Sequence, residues 1–131
     1  RYAAAKGLWP ASKGQVHADA VCWTVWAMTE LGNYMMQFLY HGLDTPVSYK
    51  AEDRSKAAAA YNRAQLDRLL DALEARLEGR DYLMGGFSLV DIAAASWLLL
   101  GTQLGLPLEG RPRVAMWCRR CADRPAFKRA R

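Results

Sequence analysis

Phe87-Ser88-Leu89-Val90-Asp91-Ile92-Ala93-Ala94-Ala95-Ser96-Trp97-Leu98-Leu99-Leu100 is the stretch on which the fold class turns. Ser88 offers a hydroxyl at a helix N-cap and Asp91 a carboxylate at the third helical position. Each can accept from a backbone N–H of a first turn that has no intrahelical partner. The negative charge also suits the positive end of the helix dipole. Phe87 before the cap and Ile92 after it have the spacing of a hydrophobic staple. From Ile92 to Leu100 almost no polar residue follows, which predicts a helix buried on nearly every side and forming the hydrophobic centre.

A buried helix needs helical neighbours, and the flanking sequence supplies them. Upstream, a long helix is expected from about Gln15 to His41, ended by Gly42 and Asp44-Thr45-Pro46. Its apolar residues cover far more than one stripe, so it needs contacts on several sides. A second helix is expected from near Glu52 to Gly79. Its Tyr61, Leu66, Leu69, Leu70, Leu73 and Leu77 recur every three or four residues, with charges filling the opposite, solvent-facing side. Downstream of Gly105-Leu106-Pro107, a last helix from about Arg113 to Ala122 turns Val114, Trp117 and Cys121 inward, and Arg124-Pro125 stops it. Nothing alternates apolar and polar over six residues between turn clusters, so no strand is expected. The fold class is all-α, a helical bundle.

The 131 residues suffice for one compact domain, and 52% are hydrophobic. No run approaches the roughly 18 apolar residues of a spanning helix, which points to a soluble protein without membrane contact. Three cysteines, with Cys118 and Cys121 together and Cys22 far away, do not form a secreted disulfide framework. A reducing, cytoplasmic setting fits. The chain opens on Arg1 rather than Met and reads as a piece of a longer protein. Its net charge of +5 is concentrated in residues 111–131, with eight Lys or Arg against the single acid Asp123. Few aromatics interleave with these cations, which argues for a solvated terminal helix and against a nucleic-acid partner.

Beyond their periodicity, these residues carry a resemblance. Tyr82-Leu83-Met84-Gly85-Gly86-Phe87-Ser88-Leu89-Val90-Asp91-Ile92-Ala93 resembles the signature of the glutathione S-transferase C-terminal domain, where a turn and a capped buried helix form the folding nucleus. Pro112-Arg113-Val114-Ala115-Met116-Trp117 and Arg124-Pro125-Ala126-Phe127-Lys128-Arg129-Ala130 are similar to that family's last helix and ending. Arg1-Tyr2-Ala3-Ala4 with Gly7-Leu8-Trp9-Pro10 resembles the end of its thioredoxin-like domain and the linker. Trp23 and Trp26, followed by Thr29-Glu30-Leu31, match the Trp-rich first helix of bacterial cytosolic members. The resemblance implies residues 1–10 as domain end and linker, and 11–131 as the helical domain.

It further implies that the parent protein conjugates glutathione, its co-substrate, to a small hydrophobic electrophile in detoxification, as a cytoplasmic homodimer without a metal. The thiol-activating residue of the family lies in the thioredoxin-like domain, so no catalytic residue is assigned in this chain. The middle of the first helix faces the active site in such proteins. This maps to Thr29, Gly32, Asn33 and Met36, which share a helical face at spacings of three, four and seven. Thr29 and Asn33 would offer hydrogen bonds, Met36 an adaptable apolar surface and Gly32 room for a ligand. The alternative is that Met36 is core and Gly32 only eases helix packing. Where some bacterial members follow the same Thr-Glu-Leu with a His that contacts glutathione, this chain has Gly32. A second class of function, a non-catalytic interaction module, shares the same helical domain.

Three other groups read as structural. Ser88 and Asp91 cap a helix rather than act as nucleophile and base. Cys118-Arg119-Arg120-Cys121 has the spacing of a redox or zinc pair but lacks a second pair of ligands. His17 and His41 are expected on the surface of the first helix.

Overall fold

The structure, a computed structural model, describes residues 2–129 and is all-helical over that range. Arg1, Ala130 and Arg131, at the ends of two of the stretches likened to family segments, lie outside the described residues. In chain order the helices are α1 (Tyr2–Ala5), α2 (Gly14–Trp26), α3 (Gly32–Gly42), α4 (Lys56–Arg76), α5 (Leu89–Gln103), α6 (Pro112–Ala122) and α7 (Pro125–Arg129). The expected first helix is continuous from α2 to α3, but its middle, Ala27–Leu31, is a turn of π-helix in which Gly32 N–H donates to the Ala27 carbonyl. Two threonines flank or occupy that turn with their hydroxyls bonded back to the helix, Thr24 to Ala20 O and Thr29 to Val25 O. Such back-bonding loosens the regular ladder. The extra residue shifts every later side chain by about 100° around the axis.

The cap of α5 forms as its residue types dictate. The Ser88 hydroxyl accepts from Val90 N–H at 3.2 Å and one Asp91 oxygen accepts from Ser88 N–H at 2.9 Å. The other Asp91 oxygen reaches much further, accepting from Leu83 N–H and from the Trp117 indole N–H, both at 2.9 Å. Asp91 is fully buried and, among the described residues, is in no salt bridge. Its charge is held by N–H donors and by the helix N-terminus. One side chain thereby joins the 82–88 turn, α5 and α6.

The bundle closes around α5, which packs on α2, the π turn, α3 and α6, while α4 covers α3 and α6. A Cβ on Gly32 would meet Trp97, and one on Gly101 would meet Met35. These contacts advance together along both helices, so α3 and α5 run in the same direction. Leu31, Met35, Leu39, Leu66, Leu70, Leu73, Leu98, Val114 and Trp117 are fully buried between the helices. α5 is less enclosed than its composition predicts: Ile92, Ser96 and Leu100, at successive spacings of four, form an exposed stripe. Composition reports what a helix could bury, whereas the number of neighbours decides what it does bury.

α4 begins at Lys56 rather than near Glu52, because the Ser55 hydroxyl caps it by accepting from Ala58 N–H. Residues Ala51–Asp53 form a separate 3₁₀ turn. The four leucines Leu66, Leu70, Leu73 and Leu77 face the core as expected, but Tyr61 stands 58% exposed.

Three of the basic residues after 110 pair with α4 or with the turn that follows it. Arg111 pairs with Asp67 at 3.1 Å and Asp71 at 2.9 Å, Arg113 with Glu78 at 3.1 Å, and Arg120 with Asp81 at 3.2 Å. Glu74 accepts from Arg113 N–H and Val114 N–H, supplying from another helix the N-terminal cap that α6 lacks in its own sequence. The Arg63 hydrogen bonds, aided by Arg111, hold the Asp67 carboxyl below its ordinary range. Arg111 and Arg113 therefore tie the start of α6 to α4.

Candidate ligand wall and apolar cavity

The four residues of the candidate face separate in three dimensions. Thr29 and Asn33 are exposed, Met36 is half-buried against the core, and Gly32 is buried. The cause is packing across helices: the Trp97 indole lies against Gly32, so that a Cβ there would stand 2.6 Å from Trp97 Cε2 and 2.9 Å from Nε1. Gly32 is thus covered by Trp97 and leaves no open space of its own. The Thr29 hydroxyl donates internally to Val25 O at 2.8 Å, leaving its oxygen as an acceptor. Met28 and Val25, 54% and 53% exposed, extend this wall as an apolar stripe toward the start of α2.

Trp97 is the residue that sequence reasoning missed. Its position inside an apolar run marks it only as core. Yet its Nε1–H is buried without a hydrogen-bond partner among the described residues, a situation that costs about 1–3 kcal/mol in a protein interior.

A concavity of about 320 Å³ lies where the connecting segment passes α5 and the end of α6. Leu8, Phe87, Ile92, Leu99, Cys121 and Phe127 are among its lining, and Arg124 sets its guanidinium 3.5 Å from the centre of the Phe87 ring. Leu89 N–H, one of the first of α5, donates to Leu8 O at 2.9 Å and ties the connecting segment to this spot. α7, which contributes Ala126 and Phe127, is a further element that the sequence reading ended before. The staple partners Phe87 and Ile92 both line the opening, and Ile92 remains 44% exposed.

Cys118 and Cys121 are buried, and burial pushes both thiols up to about 12. At neutral pH they are neutral packing groups on α6 and poor nucleophiles. Cys22 is exposed. With a disulfide reagent at pH 8, we expect one thiol to react within minutes in the native protein and three in denaturant. Rapid reaction of two or more native thiols would contradict this packing.

The histidines are not the simple surface groups expected. Both are part-buried, and each Nδ1 accepts a hydrogen bond that fixes a loop: His17 from Trp9 Nε1–H at 3.0 Å and His41 from Ser55 N–H at 3.1 Å. Among the described residues no cluster of three or more His, Cys, Asp or Glu could hold a metal ion. Nor is any described helix long and apolar enough to cross a membrane.

Residues 31–125 match the family model of the glutathione S-transferase C-terminal domain. The chain belongs to that family. A glutathione S-transferase from Hyoscyamus muticus is 39% identical over 77 residues, covering 56% of this chain and 36% of that protein. Glutathione S-transferase GstB of Escherichia coli K12 is 31% identical over 134 residues, covering 98% of this chain and 62% of that one. A glutathione transferase from Methylococcus capsulatus superposes with a TM-score of 0.82 at 25% identity, over 98% of this chain and 59% of that one. The theta class glutathione S-transferase of Xanthomonas axonopodis pv. citri, solved with glutathione bound, superposes with a TM-score of 0.78 at 25% identity. That alignment covers 95% of this chain and 58% of the other. This glutathione S-transferase domain therefore spans between about a third and two thirds of the length of these relatives.

Proposed function

We propose that this chain is the electrophile-binding and dimerisation domain of a cytoplasmic glutathione S-transferase that conjugates glutathione to small hydrophobic electrophiles in detoxification. The observation that carries the reading is the face of the first helix with exposed Val25, Met28, Thr29 and Asn33 and half-buried Met36, where Trp97 of α5 lies against Gly32. An apolar surface with a few polar groups orients an electrophile without reacting with it. The thiolate would come from a thioredoxin-like domain whose last residues are 1–10, with 11–131 forming the helical domain. The apolar cavity beside Leu8 is then the face that takes the upstream domain, since it opens where the connecting segment meets α5. The bond from Leu89 N–H to Leu8 O would hold the two parts in register.

For the homodimer, the surface is that of the first helix and α4, where exposed Tyr61 stands edge-on to Tyr34 with 6.4 Å between ring centres. Glutathione is the co-substrate in this reading. No metal takes part in it.

The test is a calorimetric titration of glutathione into the full-length parent, with the 131-residue chain as control. Binding by the parent alone is the expected result. Binding by neither would replace the enzyme reading with a non-catalytic interaction module, and turnover of an aryl halide by the 131-residue chain would overturn the division of labour.

A further inference from the structure

We propose that His17 is a proton-operated clasp on the segment that leads into the bundle; its role in the parent rests on the reading above that residues 1–10 continue an upstream domain. Two groups of that segment compete for one imidazole nitrogen. Trp9 Nε1–H lies 3.0 Å from His17 Nδ1, with the two rings edge-to-face at 5.8 Å. The Ala11 carbonyl oxygen lies 3.2 Å from the same atom. An indole nitrogen only donates and a carbonyl only accepts. Nδ1 therefore serves Trp9 when it bears a lone pair and Ala11 when it bears a hydrogen, and never both.

In the neutral imidazole with its hydrogen on Nε2, Nδ1 accepts from Trp9. A proton taken up from solvent lands on Nδ1, and the new N–H donates to Ala11 O. The indole N–H then faces another N–H and is released. No rotation of the imidazole is required, because the second partner is already within hydrogen-bond range. The connecting segment is held from both ends of this stretch, by Leu89 N–H on Leu8 O and by His17 on Trp9. Loss of the Trp9 bond frees the indole, while the segment stays tied to α5 through Leu8 O and to α2 through Ala11 O.

The charged side chains around the clasp are few. Lys6 and Lys13 precede it in the segment, and Asp19 follows it on α2, where Gln15 Nε2–H donates to Asp19 at 2.7 Å. Of the helices packed nearby, α5 brings only Asp91, whose oxygens are taken up in the cap, and α4 reaches α2 through Arg76, which lies over Trp23. No carboxylate bonded to the imidazole takes the proton's place among the described contacts.

The experiment follows the five indole N–H signals of the ¹⁵N-labelled 131-residue chain by NMR between pH 8 and pH 4.5, together with the ring nitrogens of His17. The Trp9 signal is expected to move to the position of a non-bonded indole in a single transition coinciding with His17. Above that transition Nδ1 should carry the signature of an unprotonated ring nitrogen, and the Trp23, Trp26, Trp97 and Trp117 signals should hold. In His17→Phe the Trp9 signal should sit at the released position at every pH. His17→Gln, which does not titrate, should abolish the transition even if the Phe variant folds poorly. A Trp9 signal that stays put while His17 titrates, or a transition that survives in both variants, would overturn the clasp. Because no glutathione enters the measurement, its outcome is independent of whether the parent binds that thiol.

Discussion

Asp91→Ala should be the most damaging single substitution in this domain, lowering its stability by about 3–5 kcal/mol. Loss of a helix cap alone would cost about 1 kcal/mol, which is the effect that the Ser88-to-Asp91 spacing implies. The structure raises the figure because the carboxylate accepts from three chain segments at once. Its removal strands Ser88 N–H, Leu83 N–H and the Trp117 indole N–H in a site that excludes water. Against the roughly 5–15 kcal/mol that typical domains possess, this is a large share, equivalent to a fall in Tm of about 10–20 °C. Denaturant unfolding of wild type, Asp91→Ala, Trp117→Phe and the double variant would measure it. A strong coupling between positions 91 and 117 is expected, since the Phe variant removes one donor and leaves the cap. A loss below about 1.5 kcal/mol for Asp91→Ala, within the range of a single cap, would show that the oxygens are not shared as described.

Gly32→Ala is expected to cost about 1–2 kcal/mol, and to do so through packing. In an open helix position the change should stabilise by up to about 1 kcal/mol, because glycine is the poorer helix former. Here the added methyl would stand 2.6 Å and 2.8 Å from Trp97 Cε2 and Cζ2, atoms of a rigid ring that must shift as a unit. Overpacking of that kind costs about 1–3 kcal/mol and outweighs the propensity gain. In a Trp97→Leu background the obstacle is gone, and the same Gly32→Ala change should become neutral or stabilising. Thermal or denaturant unfolding of the four proteins reads this directly. If Gly32→Ala leaves stability unchanged but weakens ligand binding in the full-length parent, Gly32 faces the ligand and is not covered by Trp97.

These expectations show how differently the elements were encoded. The start of α5 was legible from Ser88 to Ile92 because a cap depends on groups three residues apart, and the core leucines of α4 were legible because their spacing of three and four is a local pattern. The absence of strands among the described residues followed in the same way. The π turn was not legible. No composition marks Ala27–Leu31 as different, and the turn changes the phase between Thr29 and the residues that follow it, while Gly32 lies under Trp97 of another helix. The exposed stripe on α5 and the part-buried histidines depend on which neighbours arrive, and that information lies tens of residues away.

By itself, then, the sequence determined the all-α class, the capped central helix, the order of the major helices and the family, since each is written in short-range spacing or in motifs that need no partner. Tertiary structure alone decided that Asp91 serves Trp117 as well as its own cap, that Glu74 of α4 caps α6, and that Arg111 and Arg113 tie the start of α6 to α4. It also decided that Trp97 packs over Gly32. Each of these is a pairing between side chains on different helices, and only the packed bundle sets which of many chemically equivalent partners comes within reach.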